Sequence, residues 1–331
     1  MNVRLTHIDG KLPNLALMKL AHWHKERGDS VSLQRLPVPR HMLTEIHYER
    51  VYASAIFTRS VPLLNRVRWR WPDAIIGGTG CGALDFTVEQ AIGETPYEHY
   101  DYSIYPDFRW SLGFTQRGCR LNCGFCVVPK KEGRPRSVNT ISDIWRGKGH
   151  PRNVMLLDND FFGQGRDEWQ ARIAELREGN FRVCFNQGVN IRLITPESAQ
   201  ALGTVRYFDA KFERHRLYTA WDNLKDERIF FRGAAILQEA GIPPEHLMVY
   251  MLIGYRPDET FAEVCYRYQR LKDLGCLPFP MVYEASPDFK RLRRFARWVI
   301  WRYDEVRKEI VDPQRRFESF EEYLGKKDTA A

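Results

Sequence analysis

The first hundred residues alternate between short apolar stretches and one amphipathic segment. Stretches typical of β-strands occupy residues 4–9, 30–33, 50–57 and 73–78. Between the first two, Leu15, Leu17 and Met18 place apolar side chains on one face of a helix that Gly28 ends. Strands that alternate with helices predict a parallel sheet, and the continuously apolar third strand is typical of a sheet covered on both faces. We therefore predict an α/β fold that begins with a flavodoxin-like domain at residues 1–100.

A second α/β region follows residues 96–106, which lack periodicity and are predicted to form a linker. The pattern resumes with six candidate strands, at residues 113–115, 154–157, 182–185, 217–220, 247–253 and 280–283. Amphipathic helices are clearest at residues 168–178 and 228–240. Six strand–helix units predict a partial (β/α)6 barrel at residues 101–285, followed by a C-terminal helical extension at residues 286–331.

The overall composition bounds the class of protein. The chain has 331 residues, of which 44% are hydrophobic, and this is enough for one large domain or two ordinary ones. Its first residues contain no apolar stretch of signal-peptide length, and the longest apolar run, residues 247–254, is too short to span a bilayer. We therefore expect a soluble, cytoplasmic protein without a membrane partner. The formal net charge of +8 leaves an anionic partner open without identifying it.

Basic residues are scattered along the chain, apart from a cluster at residues 290–294. Around this cluster, Phe289, Leu292 and Phe295 recur at helical spacing. The pattern favours an amphipathic helix with a solvated basic face over a nucleic-acid-binding helix.

Three of the seven cysteines have a spacing that predicts a metal site. Cys119, Cys123 and Cys126 form the pattern C-x3-C-x2-C. Thiolates are the usual ligands of a [4Fe–4S] cluster, and three of them leave one of its four irons open to a substrate or cofactor. A zinc knuckle with Cys3His ligation is an alternative, but the chain lacks the second C-x2-C pair that zinc sites usually have. The odd number of cysteines argues against a disulfide framework.

This cysteine pattern, with the aromatic Phe125 directly before its last cysteine, resembles the signature of the radical S-adenosylmethionine (radical SAM) family. The resemblance implies that Cys119, Cys123 and Cys126 hold a [4Fe–4S] cluster whose open iron is chelated by the amine and carboxylate of SAM. It also implies that one electron, supplied by an external reductant such as flavodoxin or ferredoxin, cleaves SAM to a 5′-deoxyadenosyl radical. That radical abstracts a hydrogen atom from a substrate that the sequence does not identify.

Polar residues follow the predicted barrel strands, at the edge where the chemistry of barrel enzymes collects. Asp158 and Asp160 follow the second strand, where the family has a motif that accepts hydrogen bonds from the SAM amine. The third strand ends at Asn186 and Gln187, which we expect to bond the ribose hydroxyls. Arg192 is expected to form a bidentate pair with the SAM carboxylate. Taken singly, each acidic or amide residue also fits a helix cap or a turn.

The last two strands complete the expected site. The fifth ends at Gly254, in a segment similar to the family's Gly-x-Ile-x-Gly element that lies against adenine. Phe125 is expected to cover both the cluster and the adenine. Tyr283 and Glu284 end the sixth strand and are the candidate catalytic residues. Two lysines at residues 130–131 follow the cysteine loop, where they suit an anionic substrate or raise the cluster's potential.

The first domain resembles the cobalamin-binding domain that precedes the barrel in many radical SAM enzymes. In such domains a D-x-H-x-x-G loop after the first strand supplies a histidine to cobalt, whereas the loop here begins at Asp9 and has no histidine at that spacing. His7 lies within the strand, where a satisfied core residue is the ordinary role. Residues 77–80 contain three glycines, which suit either a nucleotide tail or a tight turn. Cobalamin is therefore left open as a cofactor.

The sequence leaves three functions. The first is a radical SAM enzyme that abstracts a hydrogen atom from its substrate. The second adds cobalamin to that chemistry and transfers a methyl group to an unactivated carbon. The third is a nucleic-acid-binding protein with a structural metal and basic patches. The cysteine pattern favours the first, and nucleic acid is not the favoured partner.

Overall fold

The computed structural model describes residues 1–35, 47–82, 84, 86–95, 97–300, 319–320 and 322–323. The chain divides into two compact units, Met1–Arg109 and Trp110–Ala331. Both units consist mainly of parallel strands and helices, which confirms the predicted α/β class. Pro96, at one end of the predicted linker, and most of the predicted extension beyond residue 300 lie outside the described residues.

The first unit contains a four-stranded parallel sheet in the order β2-β1-β3-β4. Its elements are β1 (Asn2–His7), α1 (Leu15–Glu26), β2 (Ser30–Arg35), β3 (Arg50–Ser54), α2 (Val61–Arg70), β4 (Ile75–Gly77) and α3 (Val88–Ile92). Each predicted strand of this region is present, although the third and fourth are shorter than predicted.

Local sequence explains why these elements form and how they pack. Asn14 begins α1 by accepting a hydrogen bond from the Leu17 backbone N–H. Neighbouring residues on a strand point to opposite faces of a sheet, and on β3 Tyr52 and Ala53 belong to different buried clusters. The sheet is therefore covered on both faces, as the continuous apolar pattern predicts.

Part of the predicted linker packs against the first unit. Tyr97 belongs to one of its buried clusters. The hydroxyl of Tyr105, also buried, lies 3.0 Å from His7 Nδ1. Aromatic side chains of the predicted linker thus belong to this unit, which extends to Arg109.

The second unit contains most of the chain. Its elements are β5 (Ser111–Gly113), β6 (Gln116–Arg117), α4 (Val128–Lys131), β7 (Arg136–Ser137), α5 (Ile141–Ile144), β8 (Asn153–Leu156), α6 (Arg166–Glu178), β9 (Arg182–Phe185), α7 (Pro196–Gly203), β10 (Arg206–Tyr207), β11 (Leu217–Ala220), α8 (Glu227–Glu239), β12 (Leu247–Ile253), α9 (Phe261–Asp273), β13 (Leu277–Val282) and α10 (Phe289–Ile300).

Two parallel sheets meet within this unit. One has the strand order β10-β9-β8-β5 and the other β11-β12-β13, while β6 and β7 form a separate antiparallel hairpin. The two sheets are joined beyond β9, where the Val189 N–H donates a hydrogen bond of 2.8 Å to the Tyr218 carbonyl. The carboxyl ends of β8 and β9 therefore lie side by side, and those of β11, β12 and β13 do likewise.

Alternation along β12 shows how its sheet is covered. Val249, Met251 and Ile253 are buried in the hydrophobic core, whereas Tyr250 and Leu252, on the opposite face, are only half-buried. One face thus packs under the helices and the other remains partly open. Among the described helices, none is both long and apolar enough to cross a bilayer.

Candidate functional site

The three cysteines of the motif lie in a loop closed by the β6–β7 hairpin. At the neck of this loop, the Cys119 N–H donates to the Gly133 carbonyl at 3.2 Å. Gly118 has a φ of +83°, and a Cβ at this position would collide with the Arg134 carbonyl oxygen. A residue with a side chain would therefore force the neck apart, so glycine is required here.

Hydrogen-bond donors face all three thiols, which are half-buried, and the donor to Cys126 is the Val128 backbone N–H. The Leu121 N–H lies 3.4 Å from Cys119 Sγ, and Arg192 Nη2 lies 3.4 Å from Cys123 Sγ. Burial raises the pKa of the Cys119 and Cys126 thiols. Donors aimed at sulfur oppose that effect, because they stabilise the thiolate that binds metal.

The thiols also act on one another electrostatically. In addition to burial, the Asp160 carboxylate and the neighbouring Cys126 and Cys123 raise the pKa of Cys119. Cys123 and the Asp222 carboxylate have the same effect on Cys126. Three thiolates in one loop repel each other, so a cationic group among them stabilises the deprotonated set. The core of an iron–sulfur cluster or a metal ion is such a group.

Geometry alone does not define a metal centre. Among the side chains that the structure describes, no group of three or more His, Cys, Asp or Glu residues is found that could hold a metal ion. None of the seven cysteines, all of which the structure describes, forms a disulfide. The donor set, three thiols that each accept a hydrogen bond, fits iron–sulfur ligation. The assignment to a cluster therefore depends on the cysteine spacing and on these donors.

The segment after β8 contacts the beginning of the cysteine loop. Asp158 is buried, and its Oδ1 accepts hydrogen bonds from the backbone N–H groups of Thr115 at 2.7 Å and Gln116 at 3.1 Å. The Thr115 hydroxyl donates to Oδ2. Asn159 Oδ1 accepts from the Gly118 N–H at 3.2 Å. Burial raises the pKa of Asp158 to about 7, although these hydrogen bonds act in the opposite direction.

Asp160 forms a bidentate ion pair with Arg120, which lies between the first two cysteines. Arg120 Nε and Nη2 lie 2.7 and 2.9 Å from Asp160 Oδ2 and Oδ1, and the Arg120 N–H lies 3.2 Å from Oδ2. The role of Asp158 and Asp160 toward the SAM amine stays a prediction. Both carboxylates already have several hydrogen-bond donors within the protein.

Among the predicted site residues that follow β9, Arg192 contacts the cysteine loop. Asn186 is half-buried and Gln187 is exposed, directly beyond the end of the strand. Arg192 follows in a short 3-10 turn, where Nη1 lies 3.2 Å from Asp226 Oδ2 and Nη2 reaches Cys123 Sγ. One guanidinium thus connects a carboxylate with a cysteine of the motif. The predicted contacts of these residues with SAM remain predictions.

Gly254, at the end of β12, occupies a position that excludes a side chain. Its φ is +75°, and a Cβ would lie 2.5 Å from both Leu292 Cδ1 and Ser286 Oγ. Its N–H donates to Glu259 Oε2 at 2.6 Å. The glycine is therefore required by packing, and its contact with adenine stays a prediction.

An aromatic row connects the cysteine loop with the end of β13. Phe125 meets Tyr255 edge to face with ring centroids 5.4 Å apart, and Tyr255 meets Tyr283 at 5.1 Å. Phe125 and Tyr283 are 40% and 37% exposed, so the row faces solvent. Glu284, the other candidate catalytic residue, is exposed at the same strand end. The structure thus groups Phe125 with Tyr283, and Tyr255 joins them.

Sequence reasoning did not assign several residues that build this region. They are Thr115, Gln116, Arg120, Asp222 and Tyr255. A signal existed for Arg120, since it lies between the first two cysteines of the motif. Tyr255 directly follows Gly254, so its position beyond a barrel strand was a second signal.

At the carboxyl edge of the sheet in the first unit, the side chains of Asp9 and His7 make the contacts that bear on function. Asp9 Oδ1 and Oδ2 accept hydrogen bonds from the backbone N–H groups of Ile56 at 2.7 Å and Phe57 at 3.0 Å. His7 is buried, and burial lowers its pKa. Its Nδ1 bonds Tyr105, whereas its Nε2 has no hydrogen-bond partner in the part of the chain that the structure describes. Only one ring nitrogen of His7 is therefore hydrogen-bonded, whereas both are bonded in a fully satisfied core histidine.

Comparison with known proteins adds no assignment. No protein-family model matches the chain, and no curated protein matches it. The site is therefore interpreted from its own chemistry.

Proposed function

We propose that the protein is a radical SAM enzyme. The observation that carries this proposal is the group of three thiols in one hairpin loop, with backbone N–H and guanidinium donors directed at the sulfurs. The loop follows β5, and six further parallel strands, β8 to β13, succeed it along the chain. This succession is what a partial (β/α)6 barrel of the radical SAM type requires.

The residues divide into a set for the cluster and a set for SAM. Cys119, Cys123 and Cys126 would hold a [4Fe–4S] cluster, which when bound supplies the electron that cleaves SAM. Asn186 and Gln187, at the end of β9, would bond the ribose. Main-chain groups beside Gly254 would face the adenine, and Phe125 would cover the cluster and the adenine.

Residues at the edge of the site would meet the substrate. Tyr283 and Glu284 are the proposed catalytic side chains, because they follow the last strand and Tyr283 lies in the aromatic row. Lys130 and Lys131 are exposed on α4, where they suit an anionic substrate. The seven free thiols fit a reducing compartment, which supports a cytoplasmic location and an external reductant such as flavodoxin or ferredoxin.

Formation of 5′-deoxyadenosine tests this proposal. Protein reconstituted anaerobically with iron and sulfide is incubated with SAM and dithionite, and the nucleoside is quantified by liquid chromatography. We expect 5′-deoxyadenosine and methionine in equal amounts. Protein that binds its full complement of iron but yields neither product would overturn the proposal.

A second candidate is a cobalamin-dependent radical SAM methyltransferase. The strand order β2-β1-β3-β4 in a parallel sheet, with glycines at its carboxyl edge, favours it. Reconstitution with hydroxocobalamin, gel filtration and absorption spectroscopy decide between the two. Stoichiometric retention of corrinoid supports methyl transfer, and loss of all corrinoid on the column removes this candidate.

A further inference from the structure

We propose that Asp158, Asn159 and Asp160 are positioning residues that fix the cysteine loop, and that their side chains do not bind SAM. Where it concerns the cluster, this inference rests on the proposed function. The hold on the loop is a property of the metal-free protein and is tested separately.

The contacts between the two segments run in register. Asp158 accepts from Thr115 and Gln116, Asn159 accepts from Gly118, and Asp160 accepts from Arg120. The bonded residues are 40 to 43 positions apart in sequence throughout. Each successive side chain of the segment thus binds the next part of the loop, on both sides of Cys119. Such a register fixes the path of the backbone that presents the first thiol.

Gln116 binds the two segments in the reverse direction. Its Oε1 accepts a hydrogen bond of 2.9 Å from the Asp160 N–H. Its Nε2 donates to the carbonyls of Arg117 at 2.7 Å and Gly118 at 2.8 Å. The Gln116 side chain is buried, so water does not compete for these bonds.

Asp160 has little capacity left for a further cation. Its Oδ2 accepts two donors from Arg120 and its Oδ1 accepts a third. A Cβ at Gly163 would lie 2.6 Å from the same Oδ2, so the chain encloses the carboxylate on that side. Asp160 is 1% exposed. A SAM amine would have to displace Arg120 from a buried carboxylate to reach it, which is costly.

The segment is itself anchored in the sheet. β8 lies between β5 and β9, and the Leu157 N–H donates to the Gly113 carbonyl at 2.9 Å. Asp158 follows directly after this hydrogen bond. Three consecutive side chains therefore bind the cysteine loop to the end of a central strand of the sheet.

Site-resolved hydrogen exchange of the metal-free, reduced protein tests the register. Asn159→Ala should speed exchange of the Gly118 amide by about fivefold or more, because a net hydrogen bond is lost, while the Thr115 amide changes little. Asp160→Asn should speed hydrogen exchange of the Arg120 amide more than that of the other loop amides. Acceleration that follows this order supports the proposal, and unchanged loop amides in both variants would overturn it.

Glu175→Gln is a matched control. Glu175 also accepts a backbone N–H, that of Ile141 at 2.7 Å, and pairs with Arg172, but it holds α5 and does not contact the cysteine loop. This variant should speed exchange of the Ile141 amide alone. Equal acceleration of the loop amides by Glu175→Gln and Asn159→Ala would show general destabilisation. It would contradict the proposal that residues 158–160 fix the cysteine loop.

The reconstituted protein supplies a second, spectroscopic readout. Asp160→Asn should lose at least about half of its iron on gel filtration, because the loop opens more often. The molecules that keep a cluster should still change their electron paramagnetic resonance spectrum when SAM is added. Loss of that change with wild-type exchange of the loop amides would identify Asp160 as a SAM ligand instead. If the wild type binds no iron, the proposed function fails. The exchange experiment on the metal-free protein still tests whether residues 158–160 fix the cysteine loop.

Discussion

The carboxyl edges of the sheets in the two units are held in different ways. In the first unit the Asp9 carboxylate binds the segment after β3, and glycines pack the backbone closely: the Gly80 N–H donates to the Ala55 carbonyl at 2.9 Å, and a Cβ at Gly78 would collide with that same oxygen. In the second unit Asp158 and Asp160 reach from one strand end to the loop that carries the three cysteines.

This difference shows where reactive chemistry collects. The first edge combines glycines with one carboxylate, whereas the second edge carries thiols, a guanidinium and carboxylates near one loop. Two four-stranded parallel sheets thus support different inferences about function, because function depends on the side chains at the edge. The predictions below test each edge in turn.

Removal of the three thiols should have the largest effect. In the variant with Cys119, Cys123 and Cys126 replaced by Ala, we expect iron content at background and complete loss of 5′-deoxyadenosine, because the cluster has no other thiolates in its loop. Colorimetric iron and sulfide analysis measures this. The control replaces Cys81 and Cys265 by Ser and should keep its iron. A triple variant that still yields the nucleoside would contradict the assignment.

The pH dependence of stability should reveal Asp158. Its native pKa of about 7 exceeds the ordinary value of 3.8, so between these pH values the native state binds more protons than the unfolded state. Its contribution to stability is therefore lost as the pH rises through this window. Asparagine does not titrate, and its amide can donate to the Thr115 hydroxyl while its oxygen accepts the same two N–H groups. Relative to the wild type, the free energy of unfolding of Asp158→Asn should rise by a few kcal/mol as the pH is raised from 4 to 7.

Urea unfolding at several pH values measures this gain. The wild type and Asp158→Asn should have similar stability at pH 4 and diverge as the pH rises, then run parallel above about pH 7.5. A constant difference across the range would show that the Asp158 carboxylate is already ionised in the native state at pH 4.

Substitution at the glycine edge of the first unit should be costly at Gly78 and tolerated at Gly77. Gly78→Ala should lower the free energy of unfolding by about 2 kcal/mol or more, because φ is +95° and the new Cβ meets the Ala55 carbonyl. Gly77→Ala is the matched control, since its Cβ would lie at an ordinary 3.7 Å from Phe86 Cδ1. Equal effects of the two variants would contradict the backbone description. Bulky residues at Gly78 are consequently no specific probe of corrinoid binding.

Arg192→Lys should have the smallest effect. A lysine keeps the charge but cannot contact both Asp226 and Cys123, so the thiolate loses a hydrogen bond worth about 1 kcal/mol. For a one-electron couple this lowers the cluster's midpoint potential by about 40 mV. Redox titration measures the shift. If the guanidinium also pairs with the SAM carboxylate, SAM affinity falls by about tenfold, and unchanged values of both would assign Arg192 to a structural bridge.

Continuous apolar runs predicted the strands best. The predicted bounds of β9, β11 and β12 coincide with the structure, because each run is flanked by polar or turn residues. The predicted start of the last strand, β13, is three residues too late. Pro278 and Pro280 lie near its beginning, and prolines are unusual within strands. Prolines are tolerated at the edge of a sheet, where β13 lies among the described strands.

Long-range contacts could not be predicted in the same way. The sequence places Asp158 and Asp160 at a strand end, but whether they cap a turn, bind a ligand or hold another segment depends on residues about forty positions away. The β6–β7 hairpin has two residues per strand and hence no periodicity to detect. By contrast, the cysteine spacing is local, so the candidate metal ligands were available from the sequence.

The central claim is that the cysteine loop holds a [4Fe–4S] cluster with one iron open to SAM. Electron paramagnetic resonance of the dithionite-reduced protein, recorded with and without SAM, tests it most directly. We expect the signal of a reduced [4Fe–4S] cluster whose line shape changes when SAM is added, and no such signal from the triple cysteine variant. A protein that contains zinc in place of iron, or a cluster signal that SAM leaves unchanged, would contradict the claim.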